Sequence, residues 1–310
     1  MIINTGNRTD IPAFYSEWFI NRLNEGYVMV RSPYAKNIIY HYELNPNQID
    51  GIIFCTKNPK PMLKYMNELA NYRQYWMVSI TPYGHEIETN VPNKNQVIRD
   101  FISLSKIVGK NCIAWRYDPI ILYGKYTIDY HLNIFSQMLE RLAPYTNVCI
   151  ISFVDLYEKT KRNFPQIKEV SIYQQITLIE EMVKMAKCKN VEIKVCAESL
   201  DFSEYGINQE GCVTKEVLQK AWDIELLDES KTRARKICEC LLENDIGAYD
   251  TCLHGCKYCY ATSSFQKAIQ NKKRHIETSP LLIGEINLED KVVAVKGKSM
   301  VNRQLNLFNL

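Results

Sequence analysis

Cys112-Ile113-Ala114-Trp115-Arg116-Tyr117-Asp118-Pro119 is a β-branched and aromatic run that closes on charged and turn-forming residues, and Ile128–Leu142 beyond it carries apolar residues at helical spacing. A buried strand followed by an amphipathic helix is one βα unit. The same unit recurs on both sides. Strands are predicted at Ile2–Thr5, Tyr27–Val30, Gly51–Cys55, Gln74–Ile80, Cys112–Tyr117, Val148–Val154 and Val191–Ala197. Helices are predicted at Ala13–Asn24, Pro61–Asn71, Asn95–Val108, Ile128–Leu142 and Tyr173–Lys187. Parallel strands need such crossover helices, so the expected class is α/β: a partial or complete βα (TIM-like) barrel.

In a barrel of this kind the loops leaving the carboxyl ends of the strands build the active site. Those ends read Arg8-Thr9-Asp10, Thr56-Lys57-Asn58-Pro59, Arg116-Tyr117-Asp118-Pro119 and Glu198, and they are expected to share one mouth. For Asn58-Pro59 and Asp118-Pro119 an ordinary turn or helix cap explains the residues equally well. The helical period weakens from about Ser203, where Gly206, Gly211 and Gly247 interrupt it, and a basic run, Lys231–Lys236, leads into a cysteine-rich segment. The expected organisation is a barrel-like domain over 1–200, a cysteine-rich extension over 201–286 and a tail over 287–310.

The net charge of +3 is too small for a global field that would draw a polyanion, so any nucleic-acid contact must be local. No stretch approaches the roughly 18 consecutive apolar residues of a membrane span, and Met1-Ile2-Ile3-Asn4 enters a strand without a leader pattern. The expectation is a cytoplasmic protein without a membrane partner. Eleven cysteines, an odd number clustered late in the chain, do not form the even framework of a small secreted domain. Cys55, Cys112, Cys149 and Cys188 lie in or beside apolar runs and read as buried core thiols.

The late cluster is Cys252-Leu253-His254-Gly255-Cys256-Lys257-Tyr258-Cys259-Tyr260-Ala261, with thiols spaced C-x3-C-x2-C. Three thiolates on one short loop can hold three irons of a [4Fe-4S] cluster and leave the fourth open. Gly255 lets such a loop wind tightly. An open iron can chelate S-adenosylmethionine, whose carbon–sulfur bond breaks on reduction to give an adenosyl radical. A zinc site is the competing reading, completed by His254 or by Cys238 and Cys240. Cys238, Cys240 and Cys212, with Cys196 upstream, form a possible second metal site, and one of these thiols could instead donate a hydrogen atom to a substrate radical.

The spacing, with an aromatic residue at Tyr258 just before the third thiol, is similar to the defining motif of radical S-adenosylmethionine enzymes and to that of spore photoproduct lyase. The likeness to the lyase stops at that motif. Only 51 residues follow Cys259, too few for a barrel, so the barrel must precede its cluster. That inverted order, together with Asp245–Tyr249, Cys252–Ala261 and Ser279–Glu285, resembles a bacterial family, domain of unknown function eighteen forty-eight. The resemblance implies a C-terminal radical-type cysteine cluster on Cys252, Cys256 and Cys259 and names no substrate. On that reading Tyr258, Gly255, Arg8 and Asp10 are the candidate cofactor contacts, and Cys196, Glu198, Arg116 and Asp118 the candidate catalytic groups. An electron donor is the implied partner.

At the other end of the extension, Gln304-Leu305-Asn306-Leu307-Phe308 resembles the short peptide by which bacterial repair proteins dock on the sliding clamp, with Gln304, Leu305, Leu307 and Phe308 as anchors. A C-terminal strand tucked onto the domain explains the same residues as well. If the clamp is the partner, DNA is the expected substrate, Lys272-Lys273-Arg274-His275 a candidate phosphate contact, and a base turned out of the stack the expected target. The expected function is therefore a radical enzyme acting on nucleic acid, in repair or base modification. A metal-stapled binding module and a radical enzyme for peptides or metabolites are the alternatives.

Overall fold

The computed structural model describes residues 1–196, 198, 200–207, 209, 211–227 and 240–302. Cys238, the basic run 231–236 and the peptide residues Gln304, Leu305, Leu307 and Phe308 lie outside the described residues.

The strands are β1 Ile2–Asn4, β2 Tyr27–Arg31, β3 Ile38–Glu43, β4 Gly51–Thr56, β5 Gln74–Ser79, β6 Ile113–Ile120, β7 Val148–Phe153, β8 Glu192–Val195, β9 Asn244–Asp245 and β10 Lys291–Ala294. The helices are α1 Ile11–Phe14, α2 Ser16–Glu25, α3 Lys60–Leu63, α4 Lys94–Val108, α5 Ile128–Leu142, α6 Glu158–Asn163, α7 Ile172–Lys187, α8 Lys215–Trp222 and α9 Phe265–Lys272. Seven strands form one parallel sheet in the order β8-β7-β6-β5-β4-β1-β9. From β4 to β8 each new strand is added beside the last, so right-handed crossovers set α3, α4, α5 and α7 on the same face. This is the winding of a βα barrel, but among the described residues β8 and β9 do not pair. The sheet is open, and the expectation of a complete barrel is corrected to an open parallel sheet.

Because the side-chain period of a strand is two, the two faces sort cleanly. On the helix side lie Ile52, Phe54, Trp76, Val78, Trp115, Tyr117, Cys149, Ile151, Ile193 and Val195, packed against Phe101 and Leu104 of α4, Phe135 and Leu139 of α5, and Leu178, Met182 and Ala186 of α7. The opposite face carries Ile2, Ile53, Tyr75, Met77, Ala114 and Ile150, covered by Cys212, Val213, Leu218, Leu226 and Met300. Both faces are buried, which explains why these strands read as continuous apolar runs. Towards the carboxyl ends the second face turns polar. Cys55 sits opposite Met77, Ser79 opposite Arg116, and Arg116 opposite Ile150. The space above the apolar floor is thus lined by groups that can do chemistry.

Several elements differ from the expectation. The helix predicted over Ala13–Asn24 breaks at Tyr15 (φ −139°, ψ 26°), a buried residue whose hydroxyl donates to the Thr251 carbonyl at 2.8 Å. The helix predicted over Pro61–Asn71 is helical only at α3. Beyond it, amides of Tyr65, Glu68 and Ala70 donate to the carbonyl three residues back, the bond of isolated turns. The tail, expected to lack a core pattern, supplies β10, which pairs in parallel with β3 as the edge of a three-stranded sheet, β10-β3-β2, while Val301 bridges Leu226. Of the four thiols read as core, Cys149 is buried, Cys55 and Cys112 are half-buried and Cys188 is exposed. No described helix is long and apolar enough to cross a membrane.

Candidate functional site

A cavity of about 700 Å³ opens at the carboxyl ends of the strands, within the size range of small-molecule and cofactor sites. Cys252, Cys256 and Cys259 line it together with Arg8, Asp10, Arg116, Asp118, Tyr258 and Cys196, so the structure brings these nine predicted site residues into one chamber with Cys212 and Cys240, while Gly255 and Glu198 do not line it.

The three-cysteine loop is held from several sides. At its base the Asp250 amide donates to the Ala261 carbonyl at 3.1 Å, and Asp250 pairs with Lys267 at 2.8 Å. Its crown docks on residues 87–90. The Lys257 amide donates to Ile87 at 3.0 Å, the Asn90 amide to His254 at 2.8 Å, and Glu88 bridges Cys256. Gly255 sits at φ +66°, in the left-handed region, and a Cβ there would come within 3.3 Å of Thr89 and Asn90. The glycine therefore meets both a conformational and a steric demand.

Beneath the loop lies a charged knot that the sequence did not announce. Glu88, fully buried, accepts from Lys57 at 2.9 Å, from Thr81 at 2.8 Å, and from Lys94 and the Tyr258 hydroxyl. Burial opposes its charge, but Lys57 and Lys94 together hold its carboxyl well below the usual carboxylate range. Lys57 stays charged in spite of its burial because Glu88 and the Cys256 sulfur lie beside it. Tyr258 is thereby fixed at both ends, its hydroxyl on Glu88 and its ring beneath the Lys57 ammonium at 5.6 Å. Lys57 was visible only as part of a strand-end turn, and neither Glu88 nor Lys94 carried a local signal.

Asp10 turns out to be a junction. Its carboxylate accepts from the Ala13 amide at 3.0 Å as the cap of α1, from the Lys57 amide at 2.8 Å, and pairs with His254 Nε2 at 2.7 Å. His254, a candidate zinc ligand, thus spends Nε2 on Asp10, while its buried Nδ1 has no hydrogen-bond partner. Arg8 binds Asp245 through Nε at 2.8 Å. Arg116 grips Asp118 through Nε, 3.1 Å from both oxygens, and reaches the Cys55 sulfur at 3.5 Å. Glu198 caps the Phe153 amide at 2.7 Å, and burial pushes its carboxyl up to about 7; it is not among the residues that line the cavity.

Three thiols facing one chamber from a single loop match the donor set of an iron–sulfur cluster with one open iron. Burial pushes the Cys252 and Cys256 thiols up, Glu88 adds to this at Cys256, and Lys57 opposes it there. A bound cation would replace those protons. Among the described residues no group of three or more His, Cys, Asp or Glu side chains forms a ready site for a single metal ion.

The family model described as Domain of unknown function (DUF1848) matches residues 2–261. The chain belongs to this family. The DUF1848 match takes in the whole parallel sheet and ends with the cysteine loop, so sheet and loop fall within one family match. No curated protein and no solved structure matches the chain.

Proposed function

We propose that this chain is a radical S-adenosylmethionine-type enzyme acting on nucleic acid, with Cys252, Cys256 and Cys259 as the ligands of a [4Fe-4S] cluster. The observation that carries the reading is the convergence of these three thiols on a chamber at the carboxyl ends of parallel strands. When bound, cluster and cofactor supply a reducible open iron and a carbon–sulfur bond whose cleavage allows hydrogen abstraction.

The protein's part is position and charge. Lys57 sets a cation beside the Cys256 sulfur, where it offsets the negative charge of a thiolate-bound core. Tyr258, fixed by Glu88 and Lys57, offers its ring as a wall for an adenine. Arg8 and Arg116 are charged groups in the chamber, each already oriented by a carboxylate.

Nucleic acid is favoured by the aromatic rim. Tyr34 is 93% exposed, and Tyr157 and Tyr249 are exposed beside the half-buried Tyr40 and Tyr260. Exposed tyrosines around a mouth can stack on an extruded base. A second cavity shares Arg8, Ser32, Pro33 and Tyr249 with the first and adds Lys273 and Arg274, giving a basic path to the mouth. Docking on a sliding clamp through Gln304, Leu305, Leu307 and Phe308 belongs to this proposal, tested by deleting residues 303–310 and measuring clamp binding.

Anaerobic reconstitution with iron and sulfide is expected to give a four-iron electron paramagnetic resonance signal on reduction. That signal should shift with S-adenosylmethionine and vanish in the C252A/C256A/C259A variant. An oligonucleotide substrate should accelerate formation of 5′-deoxyadenosine. A protein that takes up no iron at this loop, or never consumes the cofactor, leaves a metal-stapled binding module in place of the enzyme.

A further inference from the structure

Three further thiols meet in the wall of the same chamber. Cys196 leaves β8, its amide still on the ladder with a 3.0 Å bond to the Ile151 carbonyl. Cys212 is fully buried on the floor, and Cys240 arrives from the irregular segment just before β9. Separated by 16 and 28 residues in sequence, the sulfur of Cys212 lies 3.7 Å from that of Cys196 and 3.3 Å from that of Cys240.

We infer that Cys196, Cys212 and Cys240 form a second thiolate site for a single soft divalent ion of the zinc class, separate from the Cys252–Cys259 loop. The spacing carries the choice of ion. Thiolates around a tetrahedral centre with metal–sulfur bonds of about 2.3 Å sit about 3.8 Å apart, close to the 3.7 Å separation and a small opening away from the 3.3 Å one. A disulfide needs about 2.05 Å between sulfurs, and the ligands of a four-iron core stand much further apart than 3.3 Å.

The neighbouring thiols and burial push the Cys212 thiol up, so an ion would have to displace its proton, and the donors nearby favour that exchange. The amides of Cys212 and Val213 both aim at the Cys240 sulfur, at 3.2 and 3.5 Å, and such N–H donors stabilise a charged sulfur. Gly211, at φ +127°, makes room for this approach, because a Cβ there would lie 3.0 Å from that sulfur. The Arg116 guanidinium interacts with the Cys196 and Cys212 sulfurs and compensates their charge. Among the described residues no group of three His, Cys, Asp or Glu side chains is already drawn together around an ion position, so binding requires the three thiols to close around the ion and a fourth ligand to join them. All three face the chamber, which leaves that position accessible to water or to a substrate group. The inference stands whether or not the cysteine loop holds a radical-type cluster.

The test uses the full chain, purified anaerobically, with zinc and iron measured per protein. The C252A/C256A/C259A variant is expected to keep about one zinc per chain, and Cys212→Ser and Cys240→Ser to lose it. Because Cys212 is buried and its variant could misfold, cobalt is also titrated into the metal-stripped wild-type and triple-variant proteins. A sulfur-to-cobalt charge-transfer band with tetrahedral visible absorption, saturating at one equivalent in both proteins, supports the site. Zinc that departs with the loop cysteines, a band that requires them, a Cys212–Cys240 disulfide found by mass after alkylation, or four irons retained by the triple variant would each overturn it.

Discussion

His131 shows how a buried side chain is fixed by what each of its nitrogens faces. Nε2 lies 3.0 Å from the Ile121 carbonyl, which can only accept, so Nε2 carries the proton and Nδ1 accepts from the Tyr117 hydroxyl at 2.9 Å. The ring is wholly buried, and burial lowers its pKa from 6.5 to about 4. In the unfolded chain the same ring takes up a proton near 6.5. Between these values the unfolded state binds more protons, so stability is full above pH 6.5 and is lost as the pH falls towards 4. A shift of this size corresponds to roughly 3 kcal/mol. Urea unfolding at pH 7 and pH 4 is expected to show the wild type losing about that much more than His131→Asn. Equal losses would mean that the ring titrates in the folded protein as it does in the unfolded chain. Asp10 teaches a related lesson: its place after the first strand was legible, but its carboxylate is occupied by the α1 cap, the Lys57 amide and His254. A strand-end carboxylate looks the same in sequence whether it meets a ligand or the protein's own amides.

Among the elements, the parallel strands were legible because burial on both faces leaves an unbroken apolar signature, and α4, α5 and α7 because one face of each is repeatedly apolar. Ile38–Glu43 was missed: its parallel partner, Lys291–Ala294, lies about 250 residues away, and no local pattern encodes that pairing. Pairing of β1 with β4 is also non-local, and just past β1 the chain crosses Cys55 at a glycine. A Cβ on Gly6 would lie 2.3 Å from the Cys55 Cβ and 2.7 Å from the Cys55 carbonyl oxygen, and that backbone cannot yield without shifting β4. Gly6→Ala is therefore expected to cost about 1–3 kcal/mol, the usual range for overpacking. Chemical denaturation checks this. An unchanged midpoint would show that the first loop can lift off β4 freely.

At the scale of the whole molecule, the cysteine loop was legible from its spacing, whereas the chamber it enters depends on side chains from many elements meeting above the sheet. The basic run 272–275 illustrates the limit. Read as a sequence it is four like residues, but folding divides it: Lys272 donates to the Phe14 carbonyl at 3.2 Å and lies 4.4 Å over the Tyr15 ring, and His275 turns in to the Leu282 carbonyl at 2.7 Å. Only Lys273 and Arg274 are exposed, and they line a cavity of about 690 Å³ that adjoins the chamber. If a single strand runs along this path to the tyrosine rim, each of the two cations neutralises one phosphate. For single-stranded nucleic acid the slope of log affinity against log salt is about −0.7 per phosphate, so the K273A/R274A variant should have a slope shallower by about 1.4. Lys272→Ala, which removes a charge already engaged with Tyr15, should leave the slope unchanged. Fluorescence anisotropy of a labelled oligonucleotide across a salt series measures both. A slope that changes equally in the two variants would point to a diffuse positive surface, and a slope unaffected by either would place the nucleic acid on another face of the molecule.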